Sequence, residues 1–507
     1  MGAEHFDVLI MGAGLSGIDA AYHLQKYCPK KSYVILEQRE RIGGTWDLFR
    51  YPGIRSDSDM LTMGYSFRPW TNPKAIAPGE DIRNYVLETA RDEGIDRHIR
   101  FRHRVERAAW SSQDATWTVT AVRQDANGHE EHLTLTCNFL FSCAGYYRYR
   151  AGYLPEFPEI GQFKGRVVHP QGWPEDLDYA GKRIVIIGSG ATAVTLLPAM
   201  AKTARHVTML QRSPTYIVSM PEQDRITNFL RRFMPAAWAG RIGRWKNTAY
   251  MMYVYQLAQR FPNFVKTGII SKISKELGPD YDVATHFTPR YNPWDQRLCL
   301  VPDGDLFEAI KAGRGSVVTG QVERFTEKGL RLQSGEELQA DIVVTATGLV
   351  LQALGGAELE VDGRKVEPGN TLAYKGVMLS GVPNLASVFG YINASWTLKA
   401  DLICNYVCRL LNLMDRKGAR QVTPRSRNEG AVAPFVEKFS SGYVQRAITT
   451  WPKQGAKAPW RVYQNYLRDV WSLKWSSVDN EALEFSSPAA APSRPASVAA
   501  HHQMASD

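Results

Sequence analysis

Two segments of the chain repeat one order of elements: an apolar strand, a glycine-rich turn, and a helix whose apolar side chains recur three or four residues apart. In the first segment the strand spans residues 6–11 and the turn residues 12–17. In the second the strand spans residues 183–187 and the turn residues 188–193. A further short apolar strand follows each helix. Strands that alternate with helices predict parallel, helix-covered sheets, so the fold class is α/β with two Rossmann-like units.

The remaining pattern divides the chain around these two units. Residues 117–121 and 133–143 predict antiparallel strands, residues 341–346 a buried strand and residues 400–413 a helix. Residues 222–285 break the alternation and indicate a helical insertion in the second unit. The predicted division is a discontinuous first domain of residues 1–160 and 336–485, a second domain of residues 161–335, and a Ser-, Ala- and Pro-rich disordered tail of residues 486–507.

Length and composition agree with more than one domain. A chain of 507 residues, 44% of them hydrophobic, is too long for a single core. The 61 Lys and Arg residues outnumber the 51 Asp and Glu residues by ten. We interpret them as scattered over a solvated surface rather than gathered in one tract. The alternative is that they attract anionic ligands or an anionic membrane surface.

The sequence also bears on location. No stretch has the roughly 18 uncharged apolar residues of a membrane-spanning helix; the longest candidate, residues 247–259, contains polar side chains. The N-terminus runs directly into a strand, without a signal-peptide pattern. The six cysteines show no zinc or redox spacing, and their apolar neighbours indicate buried, reduced thiols. We expect a cytoplasmic protein, with loose peripheral membrane association as the alternative.

The first glycine turn predicts a site for FAD. Gly12, Gly14 and Gly17 follow the Gly-x-Gly-x-x-Gly pattern, with Ser16 before the last glycine. Glycines there let backbone N–H groups and the helix N-terminus approach a pyrophosphate. Glu37 lies 20 residues after Gly17, at the end of the next strand, where a carboxylate accepts hydrogen bonds from ribose hydroxyls.

The second turn predicts a site for NADPH. Its residues are Gly188, Ser189, Gly190, Ala191, Thr192 and Ala193. The position equivalent to Glu37 carries Arg212, followed by Ser213. A guanidinium and a hydroxyl bind a ribose 2′-phosphate, which a carboxylate would repel. FAD in the first site and NADPH in the second is therefore the simplest assignment.

Between and beside the two turns lie strings that resemble those of type I Baeyer–Villiger monooxygenases, which are class B flavoprotein monooxygenases. The first string comprises Phe163, Gly165, His169, Trp173 and Pro174. The second runs from Gly44, Thr45 and Trp46 to Asp57, and the third is the Ala-Thr-Gly string at 346–348. The resemblance extends over residues 6–475 and is strongest to a bacterial, ethionamide-activating branch.

This resemblance implies an NADPH-dependent flavoprotein that converts ketones to esters with O₂ through a C4a-peroxyflavin, and that also oxidises sulfides or thioamides. It implies Arg297 as the active-site cation and Asp57 as the carboxylate that positions it. Gly44, Thr45, Trp46 and Asp57 join the FAD site. The string at 163–174 is implied to couple nicotinamide binding to domain movement, with no proton-transfer role for His169.

The sequence departs from the family at Gln296, where several members have a lysine beside the NADPH phosphate. This leaves most of the discrimination to Arg212 and Ser213. The loop at 391–398 matches one that lines flavin and substrate in the family, so Asn393, Ser395 and Trp396 are candidates for the substrate pocket.

Three other functions compete with this interpretation. An N- or S-oxidising flavin-containing monooxygenase has a related string that ends in an aromatic and a basic residue, where this chain has Trp173-Pro174. A disulfide or quinone reductase would need a cysteine pair after the first turn. A membrane-surface protein would leave both turns unexplained. The expected partners are a small ketone or sulfide and O₂, and no nucleic acid; the oligomeric state stays open.

Overall fold

A computed structural model of the chain describes residues 3–125, 128–427, 432–437 and 439–488. Its strands, numbered β1 to β25 in chain order, are Glu4–Met11, Tyr33–Leu36, Ile99–Arg100, His103–Ser111, Thr116–Gln124, Glu130–Ser142, Arg166–Val168, Arg183–Ile187, His206–Gln211, Ile217–Met220, Cys299–Pro302, Gly315–Thr319, Val322–Thr326, Gly329–Leu332, Glu337–Gln339, Ile342–Thr345, Glu358–Val361, Arg364–Val366, Ala373–Tyr374, Met378–Leu379, Leu385–Ser387, Gln421–Pro424, Ala433–Pro434, Lys453–Gln454 and Leu483–Ser486.

The α-helices, numbered α1 to α13, are Leu15–Tyr27, Thr45–Leu48, Met60–Met63, Gly79–Asp92, Ala191–Met200, Arg225–Leu230, Ala236–Arg260, Pro262–Leu277, Val283–Phe287, Asp305–Lys311, Trp396–Lys417, Gly442–Ala447 and Tyr466–Asp469. Short 3₁₀ turns lie at Ile95–His98, Ile160–Gln162, Pro170–Gly172, Ala353–Gly356 and Pro368–Asn370, and a π-helical turn lies at Val470–Trp475. None of the helices within the described ranges is long and apolar enough to cross a membrane.

The first Rossmann-like unit is built on a nine-stranded sheet in the order β18-β17-β4-β5-β6-β1-β2-β3, with β21 also paired to β6. Strand β1 lies parallel to β2 and to β6. The predicted antiparallel pair is confirmed as β5 and β6. Helices α1 and α11 pack together over this sheet, and their apolar side chains form one core with those of β1 and β2. Helix α11 confirms the helix predicted at 400–413. It extends beyond that apolar segment at both ends, from Trp396 to Lys417.

The second unit is built on a wholly parallel sheet in the order β12-β9-β8-β16-β7. Helices α5 and α10 pack against it in a separate core. Strand β16 pairs with β7 and β8, so the division predicted at residue 335 would separate this strand from its sheet. Helices α6 to α9 lie between strands β10 and β11, in the region predicted as helical.

Two further sequence predictions concern the C-terminal tail and the cysteines. Ser486 pairs with Gln421 in the last strand, so order continues into the predicted tail, and the remainder of that tail from residue 489 lies outside the described residues. All six cysteines are free thiols and buried, as predicted. The two cores and their sheets place both glycine turns at the carboxyl ends of their first strands.

Candidate active site

Both glycine turns open into one cleft with a volume of about 820 Å³. Most of the predicted site residues line it: Gly12, Gly14, Ser16, Glu37, Gly44, Thr45, Trp46, Asp57, Gly188, Ser189, Gly190, Ala191, Thr192, Arg212, Ser213, Gln296, Arg297 and Trp396. These residues come from separate parts of the chain. The fold therefore brings the two predicted cofactor sites and the predicted catalytic pair into a single space.

The first turn has the close backbone approaches that a pyrophosphate site needs. A Cβ on Gly17 would lie 1.9 Å from the carbonyl oxygen of Gly12, and a Cβ on Gly44 would lie 3.0 Å from the Cα of Gly14. Helix α1 begins after Gly14 with no side-chain cap, which leaves its first N–H groups directed at the cleft. The local geometry fits the diphosphate of FAD, because only glycine leaves the required space.

Glu37 holds the glycine turn in place, in addition to its predicted role in binding ribose hydroxyls. Its carboxylate is buried and accepts hydrogen bonds from the backbone N–H groups of Ala13 and Arg39, at 2.7 and 2.8 Å. Burial raises the pKa of Glu37, while these two hydrogen bonds oppose that shift. The side chain thus holds the glycine turn against the second strand. It also lines the cleft, and because each oxygen accepts only one of these two hydrogen bonds, each has a lone pair left for a ribose hydroxyl.

The second turn repeats this geometry with one difference. Gly188 has φ of +143°, and a Cβ there would lie 2.3 Å from the carbonyl oxygen of Ala346. Ala193 occupies the position that is Gly17 in the first turn, and it is fully buried. Arg212 and Ser213 are exposed at the cleft, and Arg212 has no ion pair among the described side chains. A free guanidinium at this place fits the 2′-phosphate of NADPH.

Arg297 and Asp57 form an ion pair inside the cleft. The nitrogen Nη2 of Arg297 lies 2.5 Å from the oxygen Oδ2 of Asp57, and about a third of each side chain is exposed to the cleft. Removal from water lowers the pKa of Arg297, but the carboxylate of Asp57 and three tyrosines outweigh this and hold the pKa well above its usual value. The guanidinium is thus charged near neutral pH.

The tyrosines beside this pair, Tyr146, Tyr147 and Tyr443, were not predicted. Tyr146 and Tyr147 share a hydrogen bond of 2.7 Å between their hydroxyls, and Tyr443 lines the cleft together with Arg297. Burial raises the pKa of Tyr147 and Tyr443, so both are neutral donors near neutral pH. These tyrosines belong to no motif with a characteristic spacing, and the sequence could not identify them.

Beside Arg297 the cleft joins a small apolar cavity of about 30 Å³, also missed by the sequence. Its walls are mostly aromatic and aliphatic: Tyr146, Leu351, Phe389, Tyr391, Ile392, Trp396, Phe435, Val436, Tyr443, Val444, Ile448 and Trp451. Phe389 contacts Phe435 and Trp451 with ring centroids 5.0 Å apart in both cases. The indole nitrogen of Trp451 is buried and has no hydrogen-bond partner among the residues that the structure describes. An apolar group with one acceptor would fit this cavity.

The string at 163–174 does not line the cleft and belongs to the second unit, whose sheet includes β7. Phe163 is buried in a satellite core of the second unit, and a Cβ on Gly165 would lie 2.4 Å from the carbonyl oxygen of Asp341. Trp173 packs on the second core. His169 packs on Gly152, and burial lowers the pKa of its ring. His169 is therefore neutral near neutral pH and contacts the chain at Gly152, which connects the two units.

The predicted pocket loop is only partly at the cleft. Trp396 lines it and donates a hydrogen bond of 2.8 Å to Ser16. Asn393 lines a separate cavity of about 20 Å³ and donates to the carbonyl oxygen of Gln464. Ser395 is buried, with its hydroxyl 2.5 Å from that of Thr62. The structure thus brings Trp396 to the active site and places the other two candidates behind it.

Comparisons with known proteins agree with this geometry. The family described as flavin-binding monooxygenase-like matches residues 5–378. The chain is 53% identical to the FAD-containing monooxygenase EthA of Mycolicibacterium smegmatis over 490 residues, which is 96% of this chain and 98% of that protein. It is 55% identical to EthA of Mycobacterium tuberculosis over 484 residues, 95% of this chain and 98% of that protein. Among solved structures, oxidised steroid monooxygenase bound to NADP has a TM-score of 0.73 at 22% identity, with 95% of this chain and 100% of that chain covered.

Proposed function

Because this chain belongs to the flavin-binding monooxygenase-like family, we propose that it is an NADPH-dependent Baeyer–Villiger monooxygenase that converts ketones to esters. The observation that carries the proposal is the ion pair of Arg297 and Asp57, which stands in the cleft that both glycine turns share. The overall reaction places one atom of O₂ in the ester and the other in water, with NADPH as the reductant. The flavin when bound supplies the activation of O₂.

The residues of the first unit would hold the flavin. The N–H groups after Gly14 would bind the diphosphate and Glu37 the adenosine ribose, and the glycine pair at 43–44 packs closely on the first turn. In the second unit, Gly188 to Thr192 would hold the diphosphate of NADPH and Arg212 with Ser213 its 2′-phosphate. Gln296 lines the same cleft without a charge, so it supports binding by hydrogen bonds only.

Arg297 would stabilise the negative charge that develops on the substrate oxygen when the ketone is attacked. A planar guanidinium that is fixed before the reaction contributes more than a mobile cation, because it does not reorganise during the step. Asp57 is a positioning residue, since it touches Arg297 and fixes its orientation. The aromatic walls beside Arg297 would exclude water and bind the apolar part of the ketone.

The proposal is tested by supplying the purified protein with FAD, NADPH and an equimolar mixture of an aliphatic methyl ketone and a methyl sulfide. We expect an ester from the ketone, identified by mass, with NADPH consumed in a ratio to product near one. A sulfoxide formed together with the ester is compatible with the proposal. Sulfoxide without any ester would overturn the proposal in favour of an N- or S-oxidising monooxygenase.

Arg212→Ala is expected to raise the KM for NADPH far more than that for NADH. Loss of a charge-assisted contact to phosphate costs roughly 1.5–3 kcal/mol, which is about ten- to a hundredfold in kcat/KM. Lys202→Ala is a matched control, since Lys202 is an exposed cation outside the cleft. Initial rates with both cofactors provide the measurement. Equal losses with NADPH and NADH would show that Arg212 does not contact the 2′-phosphate.

A further inference from the structure

Helices α6 to α8 carry large apolar side chains on the surface of the molecule. In α7 the exposed positions include Trp238, Ile242, Trp245 and Tyr253, which recur three, four or eight residues apart and so form one stripe along the helix. Trp245 and Tyr253 are each 64% exposed. Further large apolar side chains are exposed on α6 and α8, namely Ile226, Phe229 and Phe264, and in the connections beside α7, namely Phe233 and Phe261.

The opposite face of α7 consists of small residues and packs on the body of the protein. Ala239, Gly240, Gly243 and Thr248 are buried. A Cβ on Gly243 would lie 2.4 Å from the hydroxyl of Thr227, so the helix approaches its neighbour too closely for a larger residue. The orientation of α7 is therefore fixed by packing, and its large apolar residues face outward because the inward face has no room for them.

The same segment holds a concentration of positive charge. Residues 225–275 contain ten Lys and Arg residues and no Asp or Glu. The excess of basic residues is thus gathered in one tract, and the interpretation of scattered charge was wrong. Six of the ten are exposed: Arg225, Arg232, Arg241, Arg260, Lys272 and Lys275. Arg241 lies 5.1 Å above the ring of Trp238 and Arg260 lies 5.9 Å above that of Phe261.

We propose that this face, formed by helices α6 to α8, docks on the surface of an anionic lipid bilayer. Aromatic rings enter the headgroup region of a bilayer, where their apolar bodies and polar edges are both satisfied. Exposed Lys and Arg side chains are attracted by anionic headgroups. The described helices do not span a membrane, so the association is peripheral.

Two other occupants fit this face less well. A second copy of the chain, related by a twofold axis, would place one tract of ten positive charges against another, and like charges repel across such an interface. A nucleic acid would be attracted by the charge and could stack on the aromatic rings, but the aliphatic side chains Ile226 and Ile242 would gain no apolar contact from bases or phosphates. A lipid bilayer accommodates charge, aromatic and aliphatic groups together.

The test is flotation of the FAD-loaded protein with vesicles of phosphatidylcholine, alone or with phosphatidylglycerol at one third of the lipid. We expect wild-type protein to float with the anionic vesicles and to stay at the bottom with phosphatidylcholine alone. Trp238→Ala/Trp245→Ala and Arg232→Glu/Arg241→Glu should each weaken partition to anionic vesicles by about tenfold or more. The matched control, Lys202→Glu/Arg205→Glu, makes the same change in net charge at exposed residues after α5 and should float like the wild type.

Several results would overturn the proposal. They are failure of the wild type to float with anionic vesicles, an equal loss in the control variant, and a dimer in sedimentation that either variant of the face dissociates. Binding of a single-stranded oligonucleotide in place of vesicles would equally overturn it. None of the four substituted residues lines the cleft. NADPH oxidation without vesicles should therefore be unchanged in every variant, and this separates the lipid proposal from the proposed function.

Discussion

Arg297→Ala is expected to lower the rate of ester formation by about a thousandfold or more, because removal of one preorganised donor to an oxyanion already costs about a hundred- to a thousandfold. The variant should remain folded and keep its flavin, since Arg297 belongs to neither glycine turn. NADPH oxidation should continue and yield hydrogen peroxide, because the substrate oxygen lacks its fixed positive partner while the cofactor sites are intact. Product mass, peroxide and NADPH loss are measured in the same reaction.

Two further variants show whether the guanidinium itself is needed. Arg297→Lys should recover little activity, since an ammonium keeps the charge but lacks the planar fork. Asp57→Ala should lower the rate less than Arg297→Ala, and the double variant should resemble Arg297→Ala alone, because Asp57 acts through Arg297. Ester formation by Arg297→Ala at near the wild-type rate would contradict the assignment.

The parts of the fold that the sequence predicts are those whose signals are local. A strand, a glycine turn and a helix lie within about 25 residues of each other, and the structure confirms both units as β1 with α1 and β8 with α5. The match of residues 5–378 to the flavin-binding monooxygenase-like family confirms the resemblance to flavoprotein monooxygenases. Local patterns fix such elements because their hydrogen bonds and apolar faces are set by near neighbours.

The parts that the sequence does not predict depend on contacts between distant residues. Strand β16 joins the second sheet by pairing with β8, more than 150 residues earlier, and no local pattern distinguishes that pairing from one with the first sheet. Tyr443 reaches Arg297 from the last quarter of the chain. Ser395 lies next to Trp396 in sequence, yet the start of α11 directs it away from the cleft. Pocket walls arise from tertiary packing, which spacing alone does not encode.

The distribution of basic residues along the chain was predicted wrongly for a different reason. The total excess of ten positive charges is the same whether the cations are spread or gathered, and only the absence of acidic residues from 225–275 shows their concentration. The helices in that segment show further that its apolar residues face outward. Prediction of this basic and apolar face therefore requires both the distribution of charge along the chain and the direction in which α7 packs.

Gly17→Val is expected to abolish flavin binding, leaving less than about a tenth of the wild-type FAD after purification. Its first added atom would lie 1.9 Å from the carbonyl oxygen of Gly12, so the start of α1 must move away from the turn. Such overpacking of a tight contact costs about 1–3 kcal/mol or more and displaces the N–H groups that would bind the diphosphate. Released cofactor is identified as FAD by chromatography, and its ratio to protein is measured by absorbance.

Gly190→Ala is the matched control, because an added Cβ at Gly190 meets no atom within 4 Å and its turn belongs to the other unit. This variant should keep its FAD and change only the KM for NADPH. Ala193 supports the same reasoning, since the second turn accommodates a Cβ at the position equivalent to Gly17. If Gly17→Val retains FAD while Gly190→Ala loses it, the two cofactor assignments are reversed. If both variants retain FAD, neither glycine turn holds the flavin. The FAD site would then lie in a part of the protein that does not depend on the close approach of Gly12 and Gly17.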